Sequence, residues 1–421
     1  MSQSLVFITG ATGFIGAHVV GQTLAAGYKV RLSVRREAQI ESLRKLFSKN
    51  ADQLEFVVIT DFTNPDAFSK ALQDVTYVFH LASPMPGTAV DFKNDYVAPA
   101  VKGTTGILDA AKSFASIKRI VIVSSLLALI PLDALVTGKF TAKEGLNPTI
   151  PVDINMSFPE DPNASGGLKY HASKVLAHRA TLEWATSNKP SFQIITLHPS
   201  FVFGRNLSQT TAAGIDGTNS MLWGSLHSPQ PFIPIAAVDV RDVAAAHIKA
   251  LDVQISAKGE VEEFLLSAGP KEGWTWGGVK DFVVEKYPAI DVKLQGPFGE
   301  LPSMETDKAE NALGVKWRSM EDTMASVHYD DRPSFHGTGW PPRLLVSYAH
   351  LEEAIVWETS CRVARRASCM AVPWYPPGPV IVLVAALSLP LSQKLEQSVL
   401  GPYAHKGFRE ALTEQKQYQQ Q

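Results

Sequence analysis

The sequence is poor in cysteine and carries almost no excess charge. Its 421 residues contain two cysteines, Cys361 and Cys369, both late in the chain. Their late position excludes a disulfide-stapled scaffold, and it excludes a cysteine nucleophile or metal cluster before residue 361. The 39 basic and 41 acidic residues leave a formal charge of −2, which argues against a general nucleic-acid binder. These absences favour a reduced, cytoplasmic, globular protein.

The sequence also lacks a long apolar run. Its most apolar stretch, residues 380–391, is shorter than the roughly 20 residues that a membrane-spanning helix needs. Prolines at positions 376, 377 and 379 disfavour a helix just before it. The opening residues, MSQSLVFITG, do not match a secretory signal. We therefore expect no membrane partner.

Short apolar runs alternate with helix-like stretches from residue 1 to about 250, a pattern typical of βαβ units and a parallel sheet. The first run, Leu5–Thr9, is followed by a helical pattern over Phe14–Ala26 and a second strand over Lys29–Val34. Further strands are predicted at 54–59, 77–81, 120–124 and 192–197, and a helix at 99–114. The pattern predicts an α/β fold.

Three glycines, Gly10, Gly13 and Gly16, lie between the first strand and the first helix. Glycine permits a tight turn and lets the backbone approach a pyrophosphate, which the N–H groups and dipole of the helix N-terminus attract. The spacing is G-x-x-G-x-x-G rather than G-x-G-x-x-G. In this strand–turn–helix setting we predict a nucleotide site, in which the intervening residues Thr12, Phe14 and Ile15 take part.

No acidic residue closes the second strand, which ends in Ser33, Val34, Arg35 and Arg36. An acid at this point would bind the adenosine ribose and favour NAD, whereas a guanidinium can hold a 2′-phosphate through two hydrogen bonds. Arg35 therefore favours NADPH as the cofactor. The alternative is a pair of arginines on a solvated helix start.

Tyr170 and Lys174 are four residues apart, which places both on one face of a helix. Reduction of a carbonyl leaves an alkoxide that needs a proton, and a lysine ammonium beside a tyrosine stabilises the phenolate that remains. Ser124 and Ser125 close a strand upstream, where ligands of open α/β sheets bind. We predict that Tyr170 donates the proton, Lys174 orients the nicotinamide ribose and Ser125 polarises the carbonyl. The alternative is an ordinary surface pair.

With these residues in view, the chain resembles the extended short-chain dehydrogenases/reductases. Within them it looks like the group of dihydroflavonol reductase and cinnamoyl-CoA reductase, with its fungal ketone and aldehyde reductases. The similarity runs from about Leu5 to Ser326 through TGATGFIG, the Asp61-Phe62 pair, HLASP, VIVSS, YHASK, HPSFVFGRN and VDVRDVAAAHIKAL. It implies a Rossmann-type doubly wound parallel sheet with a smaller C-terminal substrate-binding lobe.

The resemblance also implies further cofactor contacts. These would be Asp61 and Phe62 at the adenine, Leu81, Ala82 and Ser83 along the cofactor, and Pro199, Ser200 and Val202 beside the nicotinamide. The family's catalytic serine aligns best with Ser125, and Ser124 is its rival. Ser125 and Tyr170 are 45 positions apart, farther than expected for the plant reductases. We therefore expect the segment 126–167 to shape the substrate pocket.

The expected domains are an NADP-binding domain at 1–204 with 236–265, a substrate-binding lobe at 205–235 with 266–326, and an atypical tail at 327–421. In the tail, His328, Asp330, Asp331 and His336 are too irregularly spaced to predict a metal site, so no metal is expected. We expect His198, at a strand end, and His247, on a helix, to have ordinary packing or surface roles rather than a catalytic one. Trp223, Trp274 and Trp276 either border the pocket or fill the lobe.

The expected activity is NADPH-dependent reduction of a ketone or aldehyde to an alcohol, with a role in secondary metabolism implied by the fungal members. The expected partner is a small-molecule carbonyl substrate, and the expected state is a monomer or homodimer. One alternative is an NAD-dependent epimerase or dehydratase of the same superfamily. Another is a non-catalytic NADP-binding regulator.

Overall fold

A computed structural model describes residues 4–83, 91–159, 162–209, 214–254 and 259–327 of the chain. The predicted tail beyond residue 327, with its four metal-ligand candidates, lies outside this described part. Among the described residues, no helix combines the length and apolar character needed to cross a membrane.

The strands and helices follow one another along the chain as the sequence pattern predicts. In chain order the strands are β1 (Leu5–Thr9), β2 (Lys29–Val34), β3 (Leu54–Val58), β4 (Val75–His80), β5 (Arg119–Val123), β6 (Thr141–Ala142), β7 (Gln193–Pro199), β8 (Phe201–Phe203), β9 (Ala237–Asp239), β10 (Val261–Leu266) and β11 (Ser303–Met304). The α-helices are α1 (Phe14–Ala25), α2 (Ala38–Leu46), α3 (Ala98–Ala111), α4 (Ala134–Thr137), α5 (Pro162–Asn188), α6 (Gly217–Leu226), α7 (Val240–Lys249), α8 (Trp276–Lys286), α9 (Asp307–Leu313) and α10 (Met320–Val327).

A seven-stranded sheet forms the centre, with strand order β10-β7-β5-β4-β1-β2-β3. All neighbouring strands in it are parallel. The chain moves outward from β1 first to β2 and β3 and then back across it to β4 and beyond. This is the doubly wound arrangement, so the predicted Rossmann-type α/β architecture is confirmed. The carboxyl ends of all seven strands lie at one edge of the sheet.

Both faces of the sheet are covered, which explains why the central strands β1 and β5 are almost continuous apolar runs. Val6 and Ile8 of β1 contribute to the core that includes residues of α1 and α7. Leu5 and Phe7, which point the other way, contribute to the core on the side of α3. Each such buried side chain stabilises the fold by roughly 1.5–3 kcal/mol.

Strand ends differ from the apolar runs by one or two residues, because pairing rather than hydropathy defines them. The predicted run 192–197 is in fact β7, Gln193–Pro199. It extends to Pro199 because His198 and Pro199 pair with Leu265 and Leu266 of β10.

The smaller lobe has its own core. Trp274 and Trp276 are almost fully buried in it beside residues of α6, α8 and α10, so both tryptophans pack within the lobe. Trp276 also lines a cavity. The lobe region then returns to the sheet, because Ala309 and Leu313 of α9 belong to the core around β1.

The segment after Ser125 is anchored at two points. Its strand β6 pairs in parallel with β11. Farther along, the Glu144 carboxylate accepts a hydrogen bond from the Leu265 amide of β10 at 2.8 Å. The segment is therefore held against both the lobe and the edge strand of the sheet.

Candidate active site

The glycine-rich turn after β1 contains contacts that require glycine. Gly10 has a φ of +73°, a conformation that other residues rarely adopt. A Cβ atom at Gly16 would overlap the carbonyl oxygen of Gly10, and one at Gly10 would lie 2.8 Å from the Ala82 amide nitrogen. The first N–H groups of α1 lack partners within the helix. The turn therefore fits an anionic phosphate group.

The residues between these glycines divide into two sets. Thr12 is half-buried and Gly13 exposed, while Phe14 and Ile15 pack against the core around β1. Gly13 donates its N–H to the Gly10 carbonyl at 3.0 Å and is the N-cap of α1. Gly13 thus faces outward, whereas Phe14 and Ile15 face the core and anchor the start of α1.

Thr9 joins the carboxyl ends of β1 and β4. Its hydroxyl accepts hydrogen bonds from the amides of Leu81 at 3.1 Å and Ala82 at 3.0 Å. It also lies 3.0 Å from Nδ1 of His80. Because two amides occupy the hydroxyl oxygen, its proton goes to Nδ1, and the ring hydrogen of His80 is on Nε2. Leu81 and Ala82 are thereby held beside the glycine-rich turn.

His80 is a buried neutral ring beneath this edge. Burial lowers its pKa to about 4, and the positive charge of Lys174 acts in the same direction. The Nε2 atom is buried and has no hydrogen-bond partner among the described residues. The ring lies 6.3 Å from the Phe62 ring, edge to face.

Arg35 follows β2 at the same edge of the sheet, and its side chain is exposed. The backbone amides of Arg35 and Arg36 donate to Oε1 of Gln39 at 2.9 and 3.1 Å. Within the described residues, no carboxylate forms an ion pair with either guanidinium, whereas Arg31 pairs with Glu55 at 2.7 Å. The turn is fixed through its backbone, and both guanidinium groups remain available to an external anion.

Asp61 and Phe62 come after the outermost strand, β3. The Asp61 carboxylate accepts from the amide and the hydroxyl of Thr63 at 2.8 and 2.7 Å, and these bonds lower its pKa. Phe62 packs against Phe68, with ring centroids 5.7 Å apart. Asp61 therefore shapes a turn and leaves the Phe62 ring against the sheet.

Helix α5 brings Tyr170 and Lys174 to the end of β4. The Lys174 ammonium donates to the Ser83 hydroxyl at 2.8 Å and lies 5.3 Å from the centre of the Tyr170 ring. Lys174 is only 7% exposed, so its charge acts in a poorly solvated environment, where electrostatic interactions are stronger. The structure thus joins three of the predicted site residues.

Ser124 and Ser125 follow β5 and differ in their backbone roles. The Ser124 amide donates to the Leu197 carbonyl at 2.8 Å, which continues the pairing with β7. The Ser125 hydroxyl accepts from the Leu127 amide at 3.2 Å and caps a short 3-10 helix. As an acceptor in that bond, the Ser125 hydroxyl keeps its own proton for another oxygen.

Pro199, Ser200 and Val202 lie at or beyond the end of β7. The Ser200 amide donates to the Leu266 carbonyl at 2.9 Å. The Ser200 hydroxyl is buried and has no partner among the described residues, so a bound group could satisfy it. Val202 instead belongs to the core around β1.

A buried polar cluster behind these residues was not expected from the sequence. His178 of α5, His198 of β7 and Glu263 of β10 converge so that their nitrogen and oxygen atoms lie within 4.8 Å of one another. We call these residues the His–Glu–His cluster. The only sequence signal was the position of His178, four residues after Lys174 and on the same helix face. His247, by contrast, packs against Phe79 with ring centroids 5.3 Å apart.

A cavity of about 860 Å³ lies next to the start of α5. Five parts of the chain form its walls: residues 132 and 135–138, residues 167, 168 and 171, residues 231–235, residues 275–277, and residues 298–301. Val136, Phe232 and Leu301 are 83%, 64% and 41% exposed. Since these three apolar side chains of the lining are exposed, the cavity is reached from solvent.

The carboxyl edge of the sheet, from the glycine-rich turn to Lys174, has the features of a Rossmann-type nucleotide-binding enzyme. The sequence profile of the NAD dependent epimerase/dehydratase family matches residues 6–261. Ketoreductase sphI of Aspergillus fumigatus is 37% identical over 334 residues, covering 78% of this chain and 97% of the relative. Ketoreductase CTB6 of Cercospora nicotianae is 31% identical over 338 residues, covering 75% and 91%.

Solved structures give the same result. Gre2 of Candida albicans in complex with NADPH has a TM-score of 0.61 and 29% identity, covering 77% of this chain and 97% of that one. The yeast methylglyoxal/isovaleraldehyde reductase Gre2, complexed with NADPH, has a TM-score of 0.60 and 28% identity, covering 77% and 96%. The chain belongs to the NAD-dependent epimerase/dehydratase family, as an extended short-chain dehydrogenase/reductase of the fungal ketoreductase type. It is an oxidoreductase with a nicotinamide cofactor.

Proposed function

We propose that this protein reduces a ketone or aldehyde to an alcohol with NADPH. The observation that carries the proposal is the contact of Lys174 with both Ser83 and the Tyr170 ring, at 2.8 and 5.3 Å. It joins a proton donor to a cation at the carboxyl edge of the sheet. The ketoreductase relatives support this reaction class.

The residues at this edge fit a dinucleotide. The close approach of Gly10 and Gly16 leaves no room for a side chain beneath a pyrophosphate. We assign the Ser200 hydroxyl, which has no partner among the described residues, to the nicotinamide side. We assign Asp61, Phe62, Leu81, Ala82, Pro199 and Val202 as further residues around the cofactor, as the family resemblance implies.

NADPH is proposed over NADH because of the end of β2. Arg35 carries an exposed guanidinium there, and none of the residues from Ser33 to Arg36 is acidic. A 2′-phosphate would gain charge-assisted hydrogen bonds from a guanidinium, whereas a free ribose hydroxyl would gain little. The NADPH complexes of the two Gre2 structures agree with this choice.

When bound, the reduced nicotinamide supplies a hydride to the carbonyl carbon. We assign to Ser125 a hydrogen bond to the carbonyl oxygen, which stabilises the negative charge that develops there. Tyr170 then gives its phenolic proton to that oxygen. Lys174 stabilises the phenolate left behind and holds the nicotinamide ribose.

We place the bulky part of the carbonyl substrate in the cavity beside α5, and its carbonyl group at Tyr170, just outside the cavity lining. Its wall includes Gly167, Leu168 and His171, which flank Tyr170 in the helix. The only carboxylate in the lining, that of Glu300, is paired with Lys139 at 3.1 Å. A volume of about 860 Å³ is in the range that holds drug-sized ligands. We infer a bulky, uncharged carbonyl compound, as expected for secondary metabolism.

The remaining assignments follow from the same function. We propose residues 1–204 with 236–265 as the NADP-binding domain and 205–235 with 266–326 as the substrate lobe. We further propose a cytoplasmic location, where NADPH is available.

The test is a titration of the purified chain with NADPH and NADH, beside Arg35→Ala. Loss of a charged hydrogen bond of ~1.5–3 kcal/mol should weaken NADPH binding about tenfold to a hundredfold and leave NADH binding unchanged. Arg44→Ala, on the exposed face of α2, is the matched control. Equal affinity for both cofactors would contradict the NADPH assignment. NAD retained through purification would instead favour epimerase or dehydratase chemistry.

A further inference from the structure

The His–Glu–His cluster touches the backbone of the proposed active site at Ser125. Nδ1 of His198 lies 3.2 Å from the Ser125 carbonyl oxygen. Since that oxygen only accepts, Nδ1 carries the ring hydrogen. Burial lowers the pKa of His198 well below its ordinary value, and the neighbouring His178 acts in the same direction. The ring is therefore neutral and its Nε2 is a bare acceptor.

Thr196 selects this tautomer. Its hydroxyl lies 2.9 Å from Nε2 of His198 and donates its proton to that bare nitrogen. If Nε2 carried the hydrogen instead, Nδ1 and the Ser125 carbonyl oxygen would both be acceptors, and no hydrogen bond could form between them. Thr196 thus holds His198 in the one neutral form that can bind Ser125.

Glu263 connects the cluster to the catalytic helix and to the segment after Ser125. Its Oε1 accepts from Nε2 of His178 at 2.5 Å, and its Oε2 accepts from the Gly145 amide at 3.1 Å. His178 is four residues after Lys174 on one face of α5. The rings of His178 and His198 meet edge to face with centroids 4.5 Å apart, which links the two halves of the cluster.

We propose that His198, His178 and Glu263 are positioning residues for carbonyl reduction, setting the place of Ser125 relative to helix α5. The inference rests on the proposed function of Ser125, Tyr170 and Lys174. A hydrogen-bonded unit accounts for the cluster better than a zinc site does. Nε2 of His178 and Nε2 of His198 both already have partners within the protein.

The test compares two replacements of His198. His198→Phe keeps the ring shape but removes the N–H that binds Ser125. His198→Asn keeps a donor near the position of Nδ1. Because small displacements of a reacting group cost up to ~100-fold, we expect kcat to fall about tenfold to a hundredfold in His198→Phe. KM for NADPH should be unchanged, and His198→Asn should recover most of the kcat.

A milder variant guards against misfolding of His198→Phe. Thr196→Val is nearly isosteric and removes the hydroxyl that selects the tautomer, so kcat should fall in the same direction but less. Thr181→Val is the matched control, since the buried Thr181 hydroxyl bonds, within the part of the chain that the structure describes, only to the Ala177 carbonyl of its own helix. Equal kcat in Thr196→Val and Thr181→Val would overturn the proposal.

Hydrogen exchange separates this inference from the proposed function. Amides of residues 124–129 should exchange faster in His198→Phe than in wild type, whether or not the wild type reduces the carbonyl compounds tested. An inactive wild type would overturn the function alone. Unchanged exchange would overturn the positioning role, as would stoichiometric zinc in the purified protein, because the ion would take the three ligand atoms.

Discussion

At the cofactor edge, Gly10, Gly13 and Gly16 are neighbours in one turn, whereas the cavity beside α5 draws its walls from segments between residues 132 and 301. The first region is made mostly of backbone, namely the glycine conformations and the N–H groups at the start of α1. The second is made of side chains that meet only because distant segments pack together. A site built from backbone tolerates few substitutions at its glycines. A site lined by side chains can accept a different ligand when those side chains are substituted.

Helix α5 belongs to both regions and gives the largest expected effect. Tyr170→Phe removes the proposed proton donor and should lower kcat by about 10²–10⁴-fold, while NADPH affinity stays unchanged. Turnover and cofactor titration measure the two quantities. Tyr28→Phe, at the other end of the sheet, is the control and should retain turnover. Full activity of Tyr170→Phe would remove Tyr170 from the chemistry.

The backbone character of the cofactor edge can be broken with one methyl group. In Gly16→Ala the new Cβ would overlap the Gly10 carbonyl, and relief of overpacking costs ~1–3 kcal/mol. We expect NADPH binding to weaken about tenfold to a hundredfold, measured by fluorescence titration. Gly103→Ala in α3, where an added Cβ meets nothing within 4 Å, should bind NADPH normally. Equal affinities would show that the turn adapts.

The cofactor side should also be the acid-sensitive side. Burial lowers the pKa of His247 from 6.5 to about 4, so above pH 6.5 its neutral form costs the fold nothing. As the pH falls from 6.5 towards 4, His247 becomes protonated in the unfolded chain but stays neutral in the folded chain. The free energy of unfolding therefore decreases. At pH 5 this loss is about 2 kcal/mol per such histidine.

Denaturant unfolding at pH 7.5 and pH 5 checks the acid effect. His247→Phe should reduce the difference in the free energy of unfolding between the two pH values. An undiminished pH dependence in His247→Phe would assign the acid sensitivity to other groups.

The substrate side should respond to polarity at the cavity mouth. Val136→Asp places a charge on an apolar wall and should raise KM for a bulky apolar ketone by up to about tenfold, the worth of one buried valine side chain. The expected effect on a small aldehyde is weaker. Val284→Asp is the matched control, since Val284 is 50% exposed and lies outside the cavity lining. Equal KM values in the two variants would place the substrate elsewhere.

Local patterns predicted the strands, the turn and the helix face at this edge of the sheet. Strands β1 and β2 have the predicted bounds, Leu5–Thr9 and Lys29–Val34. The β1 sequence is a fully buried apolar run, and the β2 sequence alternates polar residues with buried valine and leucine. The glycine-rich turn and the placement of Tyr170 and Lys174 on one helix face were also predicted from the sequence, since both are set by residues a few positions apart.

The sequence by itself determined the order of strands and helices, the glycine-rich turn and the helix face that carries Tyr170 and Lys174. Only the tertiary structure decided that Lys174 reaches Ser83, that Thr9 holds Leu81 and Ala82, and that Glu263 meets His178. These contacts join residues more than 70 positions apart. They depend on the register of parallel strands and on the packing of α5 across them, which no local periodicity specifies.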